Sequence, residues 1–219
     1  MTKSHIKTMG IIERKEREKE QRRNDILDAA EKVFFKKSYG QATMDDVASE
    51  AELSKGTLYL YFKSKDELYF EISLRAHRVL RQMFEEAVSP DKPLVDNILE
   101  IGKAFLRFAG EKSDYFKTMI YYEAEFDFQH VHEKHEKLCQ DESDPMVFFV
   151  GFLQQGIDAG EIRTDIPAVQ LAHILWTQTT GVLTLVSTKD FHTDMQNVPV
   201  QEIIKNHFEI LKYGLFNKK

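Results

Sequence analysis

Apolar residues in this chain recur at intervals of three and four almost from end to end, and no stretch sustains the every-other-residue alternation of a half-buried strand. The pattern restricts the fold to the all-α class. Ile26, Ala29, Ala30, Val33 and Phe34 mark one face of a first helix, expected to stop near Tyr39-Gly40, where the glycine is free to take the left-handed C-terminal conformation. Thr43 is placed to cap a second helix, with Asp46 at the capping-box position and Val47, Ala48 and Ala51 facing inward. After a break at Glu52-Leu53, Ser54 caps a third helix, and Ser64 with Glu67 makes the capping box of a fourth, running to about Val88. Pro90 and Pro93 close that helix. Pro145, Pro167 and Pro199 stand at or just before fresh periodic runs, so further helices are predicted near 94–109, 114–138, 146–158, 168–187 and 200–216, with a loop at 190–197.

Charge divides the chain. Residues 1–65 hold 14 Lys/Arg against 11 Asp/Glu, and residues 66–219 hold 16 against 25. A basic first part on an acidic body is expected either for a polyanion partner of the first part alone or for a charged, solvated helix face. The expected organisation is an N-terminal domain over 1–65, whose first 20 residues are a frayed or disordered basic extension, and a helical domain over 66–219, with the fourth helix joining them. The N-terminal 25 residues are too charged for a secretory signal. The longest apolar run, "MVFFVGFL" at 146–153, is far short of the ~20 residues a bilayer span needs, so a cytoplasmic protein with no membrane partner is expected. A single cysteine, Cys139, excludes an intrachain disulfide and a cysteine-based zinc cluster.

Residues 54–65, "SKGTLYLYFKSK", make a poor core helix: Gly56 weakens it, and Tyr59, Leu60, Tyr61 and Phe62 are apolar all round. Two short capped helices joined by a tight turn, after a longer helix, are instead helix-turn-helix geometry, in which the second short helix enters the major groove by its N-terminal end. On that reading Gly56 lets the backbone approach DNA, while Lys55, Thr57 and Tyr59 address phosphates or bases. Leu58 and Phe62 anchor inward, and Lys63 and Lys65 stand where the chain leaves the groove. In the mixed run "ERKEREKEQRR" at 13–23, Arg22 and Arg23 are the residues expected near phosphate.

Residues 26–70, with "GTLYLYFKSKDEL" as the most specific part, resemble the DNA-binding domain of the tetracycline-repressor (TetR) family. The resemblance implies a three-helix DNA-binding domain whose third helix reads a palindromic double-stranded operator as part of a homodimer. It also implies a variable C-terminal helical domain that dimerises and binds a small-molecule effector. Carried over by position, Thr43, Lys55, Gly56, Thr57, Tyr59, Tyr61 and Lys65 fall on positions that commonly touch DNA, and Ser54 and Lys63 complete the candidate DNA-binding set. Asp45 stands where some members carry a basic base-reading residue.

Beyond residue 88 the resemblance fades, and the reading rests on stripes. Tyr115, Met119, Tyr122 and Phe126 share one helix face, Ile101, Phe105 and Phe108 another, and Phe149 and Phe152 belong to a third with Phe148. Such stripes are more often plain core, yet they also build apolar pockets, so these residues are candidate ligand contacts together with Glu123, His173, Trp176 and Thr177. Glu123 among aromatics leaves a cationic lipophile as one option. Residues 168–186 are apolar nearly all round, which calls for cover on several sides; Thr180, Gly181 and Thr184, with Phe208, Leu211 and Leu215 of the last helix, are the candidate dimer interface. His130, His132, His135 and Glu136 do not share one face and are flanked by Lys134 and Lys137, so no metal and no cofactor is expected. The function inferred is a ligand-released dimeric repressor. An activator or ligand-independent regulator of the same fold is the first alternative and an enzyme acting on a lipophilic substrate the remoter one, since no phosphate loop, nucleophile elbow or zinc-protease spacing is present.

Overall fold

The computed structural model describes residues 3–125, 144–163, 165–187 and 199–215, and within them the side chains of 13–122, 144–163, 165–185 and 199–214. Nine helices are found among the described residues: α1 Lys3–Gln41, α2 Met44–Glu50, α3 Lys55–Tyr61, α4 Lys65–Ala87, α5 Leu94–Glu111, α6 Ser113–Glu125, α7 Pro145–Asp158, α8 Ala168–Ser187 and α9 Val200–Leu215. None is long and apolar enough to cross a membrane. The chain divides into two compact units, Met1–Arg75 and Ala76–Lys219, so the division falls inside α4.

The first unit closes around Ile26, Ala30 and Phe34 of α1, Val47 of α2, Leu58 of α3, and Phe62, Leu68 and Ile72 beyond it. Ile26, Ala30, Phe34, Val47, Leu58 and Phe62 are inward positions that the sequence predicts. Helix ends are set by local polar chemistry. Thr43 Oγ1 accepts from the Asp46 amide while the Asp46 carboxylate accepts from the Thr43 amide at 3.0 Å, a complete capping box. Ser54 Oγ accepts from the Thr57 amide at 3.1 Å, and Ser64 Oγ from the Glu67 amide at 3.1 Å. The Glu67 carboxylate reaches one residue further back than a regular box, accepting from the Lys63 amide at 2.7 Å. Between α2 and α3 the Leu53 amide donates to Ala48 and the Glu52 amide to Ser49, which places Glu52 in the left-handed region at φ 55°.

Two features differ from expectation. The left-handed residue near the end of the first long helix is Ser38, at φ 63° and ψ 162°, and not Gly40. The neighbouring Tyr39 explains the shift. Its ring lies 4.8 Å from Tyr69 and 6.2 Å from Phe34, and its hydroxyl donates to Asp66, so the corner is fixed by where that ring must go. The helix also continues back to Lys3 through the charged run, whose exposed side chains include Arg14 paired with Glu18 one turn on; Glu, Lys and Arg are good helix formers.

Arg75 ties α4 to α1, donating through Nη1 to Asp28 at 2.6 Å and Glu31 at 3.0 Å and through Nη2 to Asn24 Oδ1 at 3.1 Å. These carboxylates raise its pKa against the opposing effect of burial, the largest single influence.

The second unit packs Leu80 and Phe84 of α4 against Ile101, Phe105 and Phe108 of α5, Met119 of α6, Leu153 of α7 and Leu175 of α8. At two glycines an added side chain would force a neighbour to shift. A Cβ on Gly156 would sit 2.3 Å from Leu94 and 2.4 Å from Ile162, and one on Gly102 would sit 2.4 Å from the Phe208 ring. Asp144 caps α7 by accepting from the Met146 amide at 2.6 Å, with Pro145 in the first turn. Helix α7 then ends on Gly160 at φ 71°.

Candidate nucleic-acid interface and interior cavity

Helix α3 is held by one side and offered by the other. Leu58 and Phe62 are fully buried, whereas Tyr59 is 37% exposed and Leu60 75% exposed. Lys55, Gly56 and Lys63 are exposed, and Thr57 and Tyr61 are half-buried. Ser54 and Thr57 share a hydrogen bond between hydroxyls at 2.8 Å, so the N-terminal turn presents two linked hydroxyls beside a glycine. Lys55 pairs with Asp45 at 2.8 Å, which raises its pKa, chiefly through that hydrogen bond. Asp45 therefore balances the lysine of the next helix. Likewise Lys37 pairs with Asp46 at 2.7 Å and, with the Thr43 hydroxyl, lowers that carboxyl's pKa.

Three basic residues expected at the interface sit differently from one another. Arg22 is exposed. Arg23 is half-buried: Nη2 donates to Glu71 at 2.5 Å, Nη1 to the Tyr61 carbonyl at 3.3 Å, and the guanidinium lies 4.2 Å over the Phe62 ring. Lys65 donates to the carbonyls of Tyr39 at 2.9 Å and Ala42 at 3.3 Å, with its ammonium 4.1 Å over the Tyr39 ring. Arg23 and Lys65 are thus braces for the two ends of the helix-turn-helix, one against α3 and one against the corner before α2.

In the second unit a small apolar cavity of about 40 Å³ lies among α4, α5, α7, α8 and α9. Ile101, Phe105, Phe149 and Trp176 line it, as four of the expected ligand contacts, together with Phe208 and Leu211. Trp176 stacks on Phe105 at 4.7 Å between ring centroids. Thr179 also lines it; its Oγ1 donates to the Leu175 carbonyl at 2.8 Å and lies 3.0 Å from His207 Nε2. Burial lowers the His207 pKa.

Residues 26–72 match the profile of the bacterial regulatory proteins, tetR family. The chain is 33% identical over 143 residues to the uncharacterized HTH-type transcriptional regulator YhgD of Bacillus subtilis (strain 168), covering 65% of this chain and 72% of that protein. The chain belongs to the tetR family. It is also 29% identical over 164 residues to the HTH-type transcriptional repressor BepR of Brucella suis biovar 1 (strain 1330), covering 74% of this chain and 78% of the relative. The fatty acid degradation regulator FadR from Bacillus halodurans superposes with a TM-score of 0.66 at 15% identity, over 90% of this chain and 97% of that one, which shows the shared fold. This tetR-family chain is accordingly a helix-turn-helix transcriptional regulator.

The remaining candidate residues divide by position. Phe108 and Met119 are fully buried in the core, and Tyr122 is buried as well, without lining the cavity. Tyr115 and Phe152 are half-buried, His173 and Thr177 exposed, the last two turned from the cavity on α8. The Glu123 side chain, Phe126, the histidines of 130–135 and Cys139 lie outside the described residues. Of the residues read as a dimer interface, Phe208 and Leu211 serve as cavity wall, Thr180 and Thr184 are half-buried, Gly181 is exposed, and the Leu215 side chain is outside the described set. Sequence reasoning missed Leu60 as a surface residue of α3; its place between two tyrosines, off the Leu58 to Phe62 stripe, is the signal that identifies it. It also missed Gly102 as the seat of Phe208, for which sequence holds no signal.

Proposed function

We propose that this protein is a cytoplasmic, homodimeric repressor that binds a palindromic operator through two copies of α3 and is released by a small, largely apolar molecule held in the second unit. The uncovered face of α3 carries the reading: an exposed leucine and tyrosine beside a glycine and paired hydroxyls, on a helix anchored from behind. Leu60 suits the methyl of a thymine, and Tyr59 and Thr57 suit base edges or phosphates. Dimerisation is supported by Val169, Ile174 and Leu185 of α8 and by Ile210 and Tyr213 of α9, large apolar side chains left 44–72% exposed. Gly181 adds an open position where a second helix finds no obstruction. In such a dimer the two α3 helices should stand about 34–36 Å apart to enter successive major grooves. Ligand release requires different affinities for two shapes of the protein, and α4, whose residues belong to both units, is the proposed route.

Electrophoretic shift on the DNA upstream of the protein's own coding sequence tests the proposal. A discrete complex resistant to competitor is expected, with Tyr59→Ala and Leu60→Ala weakening operator binding far more than binding to random DNA. Equal losses on both would show that α3 does not read sequence.

A further inference from the structure

The cavity walls select for one kind of occupant. Among the described residues no carboxylate lines the cavity, and apart from the indole of Trp176 the polar lining side chains among them are Thr179 and Lys212. The Thr179 hydroxyl is already engaged by Leu175 and His207, and one face of the Trp176 indole is covered by Phe105, leaving little to hold a cation. Lys212 is exposed at the rim and has no ion pair among the described residues. Room is the second constraint. About 40 Å³ admits a water or two and no ligand, so an occupant must displace part of the wall. The Phe208 ring is the part best placed to yield. It is half-buried on the last described helix and rests on Gly102, where even a methyl group would collide with it. Phe208 and Lys212 are one turn apart on α9 and therefore share a face.

We infer that the cavity binds an anionic amphiphile, a single-chain carboxylate, whose tail replaces the Phe208 ring over Gly102 and whose carboxylate pairs with Lys212. This rests on the proposal that the cavity is the effector site and gives that effector a chemistry, one opposite in charge to the cationic option that Glu123 suggests. It also makes α9 the first element to respond, since plug and head-group contact lie on the same helix.

The chain's single tryptophan, Trp176, reports occupancy by fluorescence in the intact protein. Decanoate, decanol and decyltrimethylammonium, each below its micelle concentration, are titrated in turn. Decanoate should bind tightest. Lys212→Ala should weaken decanoate by about 2- to 5-fold and leave decanol unchanged, as expected for one exposed ion pair. Phe208→Ala should strengthen decanoate and decanol alike, because the tail no longer has to expel the ring. Decyltrimethylammonium binding as tightly as decanoate, equal effects of Lys212→Ala on decanoate and decanol, or no binding of any probe would each overturn the inference. A parallel operator-binding assay separates it from the release proposal. Decanoate that binds beside Trp176 without dislodging operator sinks release and leaves this inference standing; release by the ammonium alone does the reverse.

Discussion

The surface of residues 44–61 and the cavity of residues 76–219 are built by different means. Around α2 and α3, hydrogen bonds spanning three to five residues set where each helix starts and stops: Thr43 with Asp46, Ser54 with Thr57, Leu53 with Ala48. Around the cavity, contacts between residues far apart in the chain set the shape: Phe105 on Trp176, Phe208 on Gly102, Phe84 near Phe148. A face defined by local chemistry can be presented unchanged to a rigid partner such as DNA. A cavity defined by distant packing changes when any one wall moves, which suits a site that must respond.

The comparison sharpens on whether the local caps, which set the helix ends, also hold the reading face without the packing behind it. Phe62 has no exposed surface and carries the Arg23 guanidinium 4.2 Å above its ring. Phe62→Ala should cost about 3–5 kcal/mol and abolish operator binding, the caps notwithstanding. Thermal denaturation followed by circular dichroism should show the loss; a midpoint within a degree of wild type would mean that local chemistry carries the face by itself.

A smaller effect sharpens the roles of the basic residues. The sequence places Lys65 among the DNA contacts, whereas the structure engages its ammonium with the Tyr39 and Ala42 carbonyls. Lys65→Ala should cost about 1–3 kcal/mol of stability, since hydrogen bonds to a charged group are lost at the corner before α2. If the brace is its whole role, the salt dependence of operator affinity stays unchanged; a phosphate contact would lower the slope by about one unit.

These residues show what sequence makes legible. Helix boundaries at Thr43, Ser54, Ser64 and the prolines are written in residue types that act on their own neighbours, so the element order and the reading helix follow from the sequence. The TetR resemblance over 26–70 is read from the same stretch. Tertiary commitments are not so written. Nothing in the chain pairs Lys65 with Tyr39, and nothing distinguishes Phe105, which lines the cavity, from Phe108, which fills the core one turn on. The aromatic stripes name a buried face without saying whether another side chain or a ligand completes it. The same limit moved the left-handed corner from Gly40 to Ser38, because the Tyr39 ring and its partners decide it.

Helix ends offer a direct contrast between the regions. Helices α2 and α7 both close with a residue in the left-handed conformation, Glu52 at φ 55° and Gly160 at φ 71°. Only the second is a glycine, so α2 carries a steric cost of about 1 kcal/mol that α7 avoids. Glu52→Gly should stabilise the protein by up to that amount and Gly160→Ala should destabilise it comparably, both read as shifts in urea midpoint. Opposite signs from two substitutions at the same structural position would confirm that backbone conformation governs both ends.

The smallest effect concerns the histidine that meets the cavity's Thr179. His207 is half-buried, and burial holds its pKa below the ordinary 6.5. The fold therefore favours the neutral ring; because the Thr179 hydroxyl donates to Leu175, the His207 Nε2 facing it is the donor. Between the lowered folded value and 6.5 the unfolded chain binds the extra proton, so stability rises with pH through that window. On acidification the contribution is present above 6.5 and is lost as pH falls through the folded value. Melting the wild type and His207→Asn at pH 7.5 and 5.5 isolates this ring from the other histidines, which the two proteins share. The wild type should lose more stability between the two pH values than the variant, by a modest margin because the ring keeps contact with solvent. An equal loss in both would mean that water reaches His207 freely, whereas a larger loss in the variant would reverse the sign required by burial.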